Sequence, residues 1–374
     1  MFSRNLSVLF MCAALAALSQ PSPAAEMGGK PAWQAEYEEL VAKAKQEGEV
    51  VVYAGRGRER RRARTQPFEQ KYGIKVSYVS GSTNELIEKV TAEYGAGVFQ
   101  GDVFFARPPD TARLFQAKLL SPLKPLLFLP DVLDTSLFFQ GKHWYTDPED
   151  RYAMIIAAYA GDILSINNRR LNPDSISAMA DLLQPRHRGR IIIADPEPGG
   201  GANGTLIWMY VGKGMGPDYI RRLLTEAEPG FQQDCRQVAD LLAKGVYDIA
   251  LFCYSDVRRA KAQGLPVLNL PGPMKEGALL QMGGSNQIAA LAKPAHPHAL
   301  KLYANWWLSR EGQKAFQELD RDYQSIRTDL PVDPISKERR RREGVDYVFT
   351  DASKDSPRWA QEVNELWWKI RRAK

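Results

Sequence analysis

Apolar and polar positions along the chain fall into repeated units of strand, loop and helix. Leu40, Val41 and Ala44 share one face of a helix expected from Tyr37 to Glu47, which Gly48 ends. Val50-Val51-Val52-Tyr53 follows as a near-continuous apolar run, the pattern of a strand buried on both faces of a parallel sheet. A loop from Ala54 to Arg58 leads into a second helix, and Ile74 to Tyr78 alternates as a strand. Gly81-Ser82-Thr83 then caps a helix from Asn84 to Glu93, and Asp102 to Phe105 forms the next strand.

The pattern breaks between Pro122 and Asp150, a proline-rich and aromatic stretch, and resumes at Tyr152 to Ile156. A second set follows: a strand at Ile191-Ile192-Ile193, a glycine-rich loop, a helix from Thr205, a helix from Gln232 and a strand ending at Phe252. Leu265 to Pro273 reads as a turn region before the chain crosses back, and helices dominate from Pro297 to Phe316. Two α/β lobes are expected. Lobe 1 is discontinuous, residues 26–155 with 276–330, and lobe 2 takes 156–275. Residues 331–374 stand apart. Their basic run, Lys337 to Arg342, reads as a solvated face ahead of a helix that docks Trp359, Trp367 and Trp368 on the body. A binding tail for an acidic partner is the alternative.

The first residues change the picture of where the protein works. Arg4, an apolar run from Leu6 to Leu18 and small residues up to Ala25 are the three parts of a secretory signal peptide. The run is too short to span a bilayer. Cys12 lacks the small residues that precede a lipid-modified cysteine, so a soluble periplasmic protein is expected rather than a lipoprotein. Without the segment that holds Arg4 the formal charge of +6 falls to +5, a mild excess.

Cys235 and Cys253 survive export into an oxidising compartment, as a disulfide or as two separate buried thiols. A helix from Gln232 and an antiparallel strand ending at Phe252 would bring them to the same side.

Several segments resemble bacterial extracellular solute-binding proteins. They are Glu47-Gly48-Glu49-Val50-Val51-Val52-Tyr53-Ala54, Phe68-Glu69-Gln70-Lys71-Tyr72-Gly73-Ile74-Lys75-Val76 and Gly101-Asp102-Val103-Phe104-Phe105. Ala117 to Leu123 and Trp307 to Phe316 extend the match, in order, over most of Glu47 to Pro331. The nearest subgroup is the ferric-iron, thiamine and phosphorylated-solute receptors of ABC-type importers. The resemblance implies a two-lobed periplasmic-binding-protein fold of type II, with ligand gripped between lobes joined by crossing strands. It also implies binding without catalysis or cofactor, a permease partner in the inner membrane, and a monomer.

Iron-binding members of that subgroup commonly carry histidine after the first strand, glutamate after the third and paired tyrosines in the second lobe. Here those places hold Arg56-Gly57-Arg58, Arg107 and Tyr254-Ser255-Asp256. Guanidinium groups repel ferric iron and make bidentate bonds to carboxylate or phosphate. Arg56, Arg58 and Arg107 are therefore candidate contacts for a small anionic solute, against the reading of solvent-facing loop arginines. A ferric-iron or iron-complex receptor is the alternative. Arg60, Arg61, Arg62 and Arg64 are expected on a solvated helix face.

Ser82 and Thr83 open one helix, and Gly200, Gly201 and Asn203 precede another, so both loops offer free N–H groups to an anion. The second loop formally fits a dinucleotide pattern, but Asp195-Pro196-Glu197-Pro198 breaks the tight turn such a site needs. Tyr254, Ser255 and Asp256 end a second-lobe strand, where open α/β sheets bind ligands. Trp144 and Tyr145 are read as lining the cleft or as an interlobe contact. An exported hydrolase is a remote reading: four histidines form no zinc or nucleophile motif, and His296 and His298 have no acidic neighbours in sequence. Nucleic-acid binding fits neither export nor the modest charge.

Overall fold

The computed structural model describes residues 31–196, 203–282 and 284–373. The expected signal peptide and Gly200 and Gly201 lie outside the described residues.

Four strands come first: β1 (Glu49–Gly55), β2 (Lys75–Gly81), β3 (Val103–Ala106) and β4 (Leu120–Ser121). The chain then passes through β5 (Ala153–Ile155), β6 (Ala157–Ala160) and β7 (Leu164–Asn167). Next come β8 (Ile191–Ala194), β9 (Gly230–Gln232), β10 (Ile249–Leu251) and β11 (Val267–Leu270). It returns through β12 (Ala278–Gln281) and β13 (Gln287–Leu291) and ends with β14 (Gln324–Ser325) and β15 (Tyr347–Phe349).

These strands build three sheets and two lobes. The first lobe has the order β2-β1-β3-β13-β4, with β5 also paired to β13. β1, β2 and β3 run parallel, and the register Val52↔Tyr78 and Gly55↔Gly81 brings β1 and β2 to one carboxyl edge. The Ala32–Glu47 helix ends at Gly48, whose φ of 79° is left-handed and needs a glycine. At Gly101 the reason is space. A Cβ there would lie 2.5 Å from the Tyr53 ring and from Leu291.

The second lobe has the order β11-β7-β10-β8-β9. Here β8, β9 and β10 are parallel and β7 is antiparallel to its neighbours. Two expectations change. Gln232 belongs to edge strand β9, because it pairs beside Ala194, and the helix begins only at Cys235 behind the Asp234 cap. Val267–Leu270, expected as a turn region, forms β11 along β7. Cys235 at that helix start and Cys253 just past β10 form a disulfide with Cα atoms 5.2 Å apart.

Crossing strands β6 and β12 make the third sheet, ordered β14-β6-β12-β15. Leu280 pairs with Ala160, antiparallel, where the chain passes out and back between the lobes. β15 adds a strand from the tail, with Leu279 opposite Val348. The tail helix Ser356–Arg372 then packs on the second lobe. Trp367 is fully buried near Phe231 and Phe252, and its Nε1 donates to Asp195 at 3.2 Å. Arg371 pairs with the same carboxylate at 3.0 Å. The docked tryptophan matches the sequence expectation, but the basic run before it is not a uniformly solvated face. The Arg341 Nη2 donates to the Ser325 carbonyl at 2.5 Å and its guanidinium lies over Phe139.

Carboxylates from distant segments hold the Pro297–Leu308 helix. Buried Asp102 accepts from Val51 N at 2.7 Å, from His296 N at 2.8 Å and from His296 Nδ1 at 2.9 Å. Glu47 accepts from His298 Nδ1 at 2.7 Å and from Ala299 N at 2.7 Å. Both histidines thus have acidic partners that their sequence neighbourhood lacks, in a role that ties and caps a helix start.

Candidate functional site

Residues leaving β1, β2 and β3 emerge at one carboxyl edge: Arg56 after β1, Ser82 and Thr83 after β2, and Arg107 after β3. The Ser82 side chain accepts from Glu85 N, and Glu85 accepts from Ser82 N at 2.7 Å, a reciprocal capping box. The same Glu85 carboxylate takes the Arg56 guanidinium at 2.7 Å. Arg56, Ser82 and Thr83 are therefore gathered at one helix start. Arg107 stands at the N-cap position of the Pro108–Gln116 helix and pairs with Asp110 at 3.0 Å, its side chain half exposed. Arg58 is not gathered in. Its side chain is 92% exposed and bonds its neighbour Glu59.

β8 and β10 bring the second-lobe candidates to their own carboxyl edge. Asn203 opens the Asn203–Val211 helix and meets Asn364 of the tail helix at 3.5 Å. Ser255 is exposed, and Asp256 is held by Arg259 one turn on. Tyr254 turns away from solvent. Its buried hydroxyl donates to the Ile163 carbonyl at 2.6 Å and lies 3.3 Å from Thr205 Oγ1, so it fixes the start of its helix to β7 instead of offering a donor outward. Burial raises its pKa well above the usual phenol range. Trp144 packs on Phe349 of β15, with its Nε1 donating to Phe139, and Tyr145 is buried.

The Arg58–Tyr72 helix overturns a further expectation. Arg64 is 0% exposed, stacks over Phe105 at 4.2 Å and donates to the Ser285 carbonyl at 2.5 Å. Arg60 pairs with Asp320 at 3.1 Å, donates to the Tyr323 hydroxyl at 2.8 Å and lies over that ring. Residues far along the chain cover this face, so helical position alone did not predict its burial.

Two adjoining cavities meet at Asp322. One, of about 520 Å³, lies between the loop after β1 (Arg56, Gly57) with the first turn of the following helix (Glu59, Arg60) and the Leu319–Asp322 segment. The other, of about 160 Å³, joins Asp322 to Arg258, Asn269 and Asp162 of the second lobe and to Ser336 and Arg339 of the tail. A ladder of cations and rings crosses beside them. Arg60 stacks on Tyr323, Tyr323 meets Tyr159 of β6 edge-on at 5.5 Å, and Arg339 stacks on Tyr159 at 3.9 Å. Arg258 then pairs with Asp162 at 2.5 Å.

Burial dominates the titration of this region. It pushes the Tyr159 phenol up to about 12 although Arg339 pulls the other way. It raises Asp320 against the pull of Arg60. Asp351, on the short turn after β15, is also raised by burial while accepting from Met282 N at 2.8 Å, with Arg107 near enough to oppose the shift.

Sequence reading missed Asp162, Arg258, Tyr159, Tyr323 and Arg339. Arg258 had a signal, one helical turn beyond Tyr254 on the helix that starts at the β10 edge. Arg339 had none, because its neighbours in space are remote in sequence. Among the described residues, no group of three or more His, Cys, Asp or Glu side chains is arranged to hold a metal ion.

Residues 50–318 match the profile of a family described as bacterial extracellular solute-binding protein, and the chain belongs to that family. An uncharacterised protein of Haemophilus influenzae is 25% identical over 333 residues, covering 84% of this chain and 91% of the relative. Iron-bound HitA of Pseudomonas aeruginosa shares the fold with a TM-score of 0.53 and 20% identity, over 86% of this chain and 99% of HitA. AfuA of Actinobacillus pleuropneumoniae, solved with fructose-6-phosphate bound, gives a TM-score of 0.55 and 17% identity, over 87% and 99% of the two chains.

Proposed function

We propose that this solute-binding protein is the periplasmic receptor of an ABC-type importer and captures a small anionic solute, phosphorylated or carboxylated, by closure of its two lobes. One observation carries the reading. Arg56 and Arg107 leave parallel strands at a single carboxyl edge, Arg56 at the N-terminus of the Thr83–Gly95 helix and Arg107 at that of the Pro108–Gln116 helix. Open α/β sheets bind ligands at such edges, and both guanidinium groups and free helix N–H groups favour anions. That a neighbour of the same fold was solved with a sugar phosphate is compatible with this chemistry.

In this reading residues 26–155 with 276–330 form lobe 1 and residues 156–275 form lobe 2. The N-terminal 25 residues direct export, and the monomeric protein acts by binding, with no turnover of its solute. The solute meets the arginines of one lobe first and bonds the facing lobe second, and its differential affinity for the closed form drives the closure. Arg56 must exchange Glu85, and Arg107 must exchange Asp110, for the solute.

Calorimetry and thermal-shift measurements against sugar phosphates, phosphonates, carboxylates and ferric complexes test the reading, since a ligand of the folded state raises its stability. An anionic organic solute should bind, and Arg107→Ala should weaken it by about tenfold or more. Binding of ferric complexes alone, with a charge-transfer colour, overturns it.

A further inference from the structure

The cavity of about 160 Å³ is walled on one side by the segment that follows the family match. Of the residues that segment places there, Ser336, Glu338 and Arg339, the least exposed is Arg339. Its side chain is 12% exposed, lies flat on Tyr159 and ends 4.0 Å from Asp162, beyond hydrogen-bonding reach. Its Nη1 is buried and has no hydrogen-bond partner among the described residues.

The carboxylate nearest this atom is engaged by other donors. Asp162, itself buried, already accepts from Arg258 at 2.5 Å and from Asn269 Nδ2 at 3.3 Å. Arg258, whose side chain is 46% exposed, takes that carboxylate at short range and leaves Arg339 at the longer distance. Asp322, Glu338 and Lys261 line the same cavity and are exposed, so water screens them. A buried cation with an unused donor is costly to the folded protein, and an anionic oxygen bonded to it offsets that cost.

We propose that Arg339, with Arg258, binds an anionic oxygen group, carboxylate or phosphate, of the solute in this cavity, so that the C-terminal segment supplies part of the binding site. This rests on the reading of the chain as a receptor for a small anionic solute and names a further contact for it. The cavity opens between the helix after β10, the Asp322 turn of the first lobe and the tail, so an anion there touches all three at once. Its size suits one small polar group and not a whole cofactor. Closure of the lobes is then sensed by a residue outside the two-lobe body.

Titration calorimetry of the full mature chain with inorganic phosphate and with succinate, at fixed ionic strength, tests the proposal, the two probes separating the phosphate from the carboxylate source. Arg339→Gln should weaken the bound probe by about tenfold to a hundredfold, as loss of a charged hydrogen bond does. Arg339→Lys should recover part of the loss, and Arg221→Gln, on an outer helix, should change nothing. If Arg339→Gln lowers the stability of the unliganded protein, Arg258→Gln, half exposed on its helix, takes the same test. Equal affinity in wild type, Arg339→Gln and Arg258→Gln overturns the proposal while leaving the anion-receptor reading intact. Failure of both probes with wild type, alongside binding of a larger anion that Arg107→Ala weakens and Arg339→Gln does not, also overturns it. Failure of every anion with wild type removes both readings.

Discussion

The guanidinium carbon of Arg339 lies 3.9 Å from the centre of the Tyr159 ring, joining the C-terminal segment to a strand that crosses between the lobes. Tyr159 also meets Tyr323, which carries Arg60, so one ring links cations from the tail and from the first lobe.

Tyr159→Leu should therefore destabilise the protein beyond its change in apolar area, by about 0.5–2 kcal/mol for the Arg339 cation that no longer lies over a ring. Tyr159→Phe keeps the ring and should retain most of the stability. Urea unfolding of both variants checks this, and equal losses would show that the stacked ring contributes nothing.

The tail helix should be needed for second-lobe stability. Trp367→Ala empties a fully buried site between Phe231 and Phe252 and leaves Asp195 with one donor fewer. A loss of about 3–5 kcal/mol is expected, the usual range for Trp→Ala in a core. Hydrogen exchange should rise first in the Asn203–Val211 and Pro217–Thr225 helices, against which the tail helix packs.

Reduction of Cys235–Cys253 should also act on the second lobe, because the bond joins a helix start to the end of β10. Replacing both residues by serine should cost about 2–4 kcal/mol, the typical worth of a native bridge. Denaturant curves with and without reductant measure it, and the double variant should no longer respond to reductant.

Two histidines, His143 and His187, should lower stability as pH drops from about 7. Burial lowers the pKa of His143 and of His187 below the ordinary histidine value, so the folded protein holds both neutral. His143 Nε2 lies 2.8 Å from the Val132 carbonyl, and Arg186 Nε donates to His187 Nε2 at 3.1 Å, which only a neutral ring accepts. Below about 6.5 the unfolded chain takes up protons there that the folded chain refuses. The loss begins near that pH and ends once pH passes the lowered folded values. Melting temperatures from pH 8 to 5 should show this slope, and His143→Gln with His187→Gln should flatten it.

Much of the lobe architecture was legible in the chain. The run Val50–Tyr53 marked a strand buried on both faces, and the Ser82-x-x-Glu85 spacing marked a helix start, because both patterns follow from local backbone chemistry. The placement of Arg56, Ser82 and Arg107 after successive strands already implied a shared edge if those strands ran parallel. Local pattern also placed the tail tryptophans on a docking helix.

The fate of individual polar side chains was not legible, since burial of an arginine is decided by what covers it. Arg60 and Arg64 sit in one basic helix with Arg61 and Arg62, yet Asp320, Tyr323 and Ser285, all remote in sequence, hold the first two. Tyr254 stands at a strand end suited to ligand binding, but the Ile163 carbonyl turns its hydroxyl inward. Sequence by itself determined the family, through its resemblance to known receptors, and also the two α/β lobes and the carboxyl edge where the arginines emerge, since hydrophobic period and cap spacing are local. Only tertiary structure decided that the tail joins the crossing sheet and sets Arg339 beside Asp162, because hydrogen bonds and charge pairs between distant segments exist only once the chain has closed on itself.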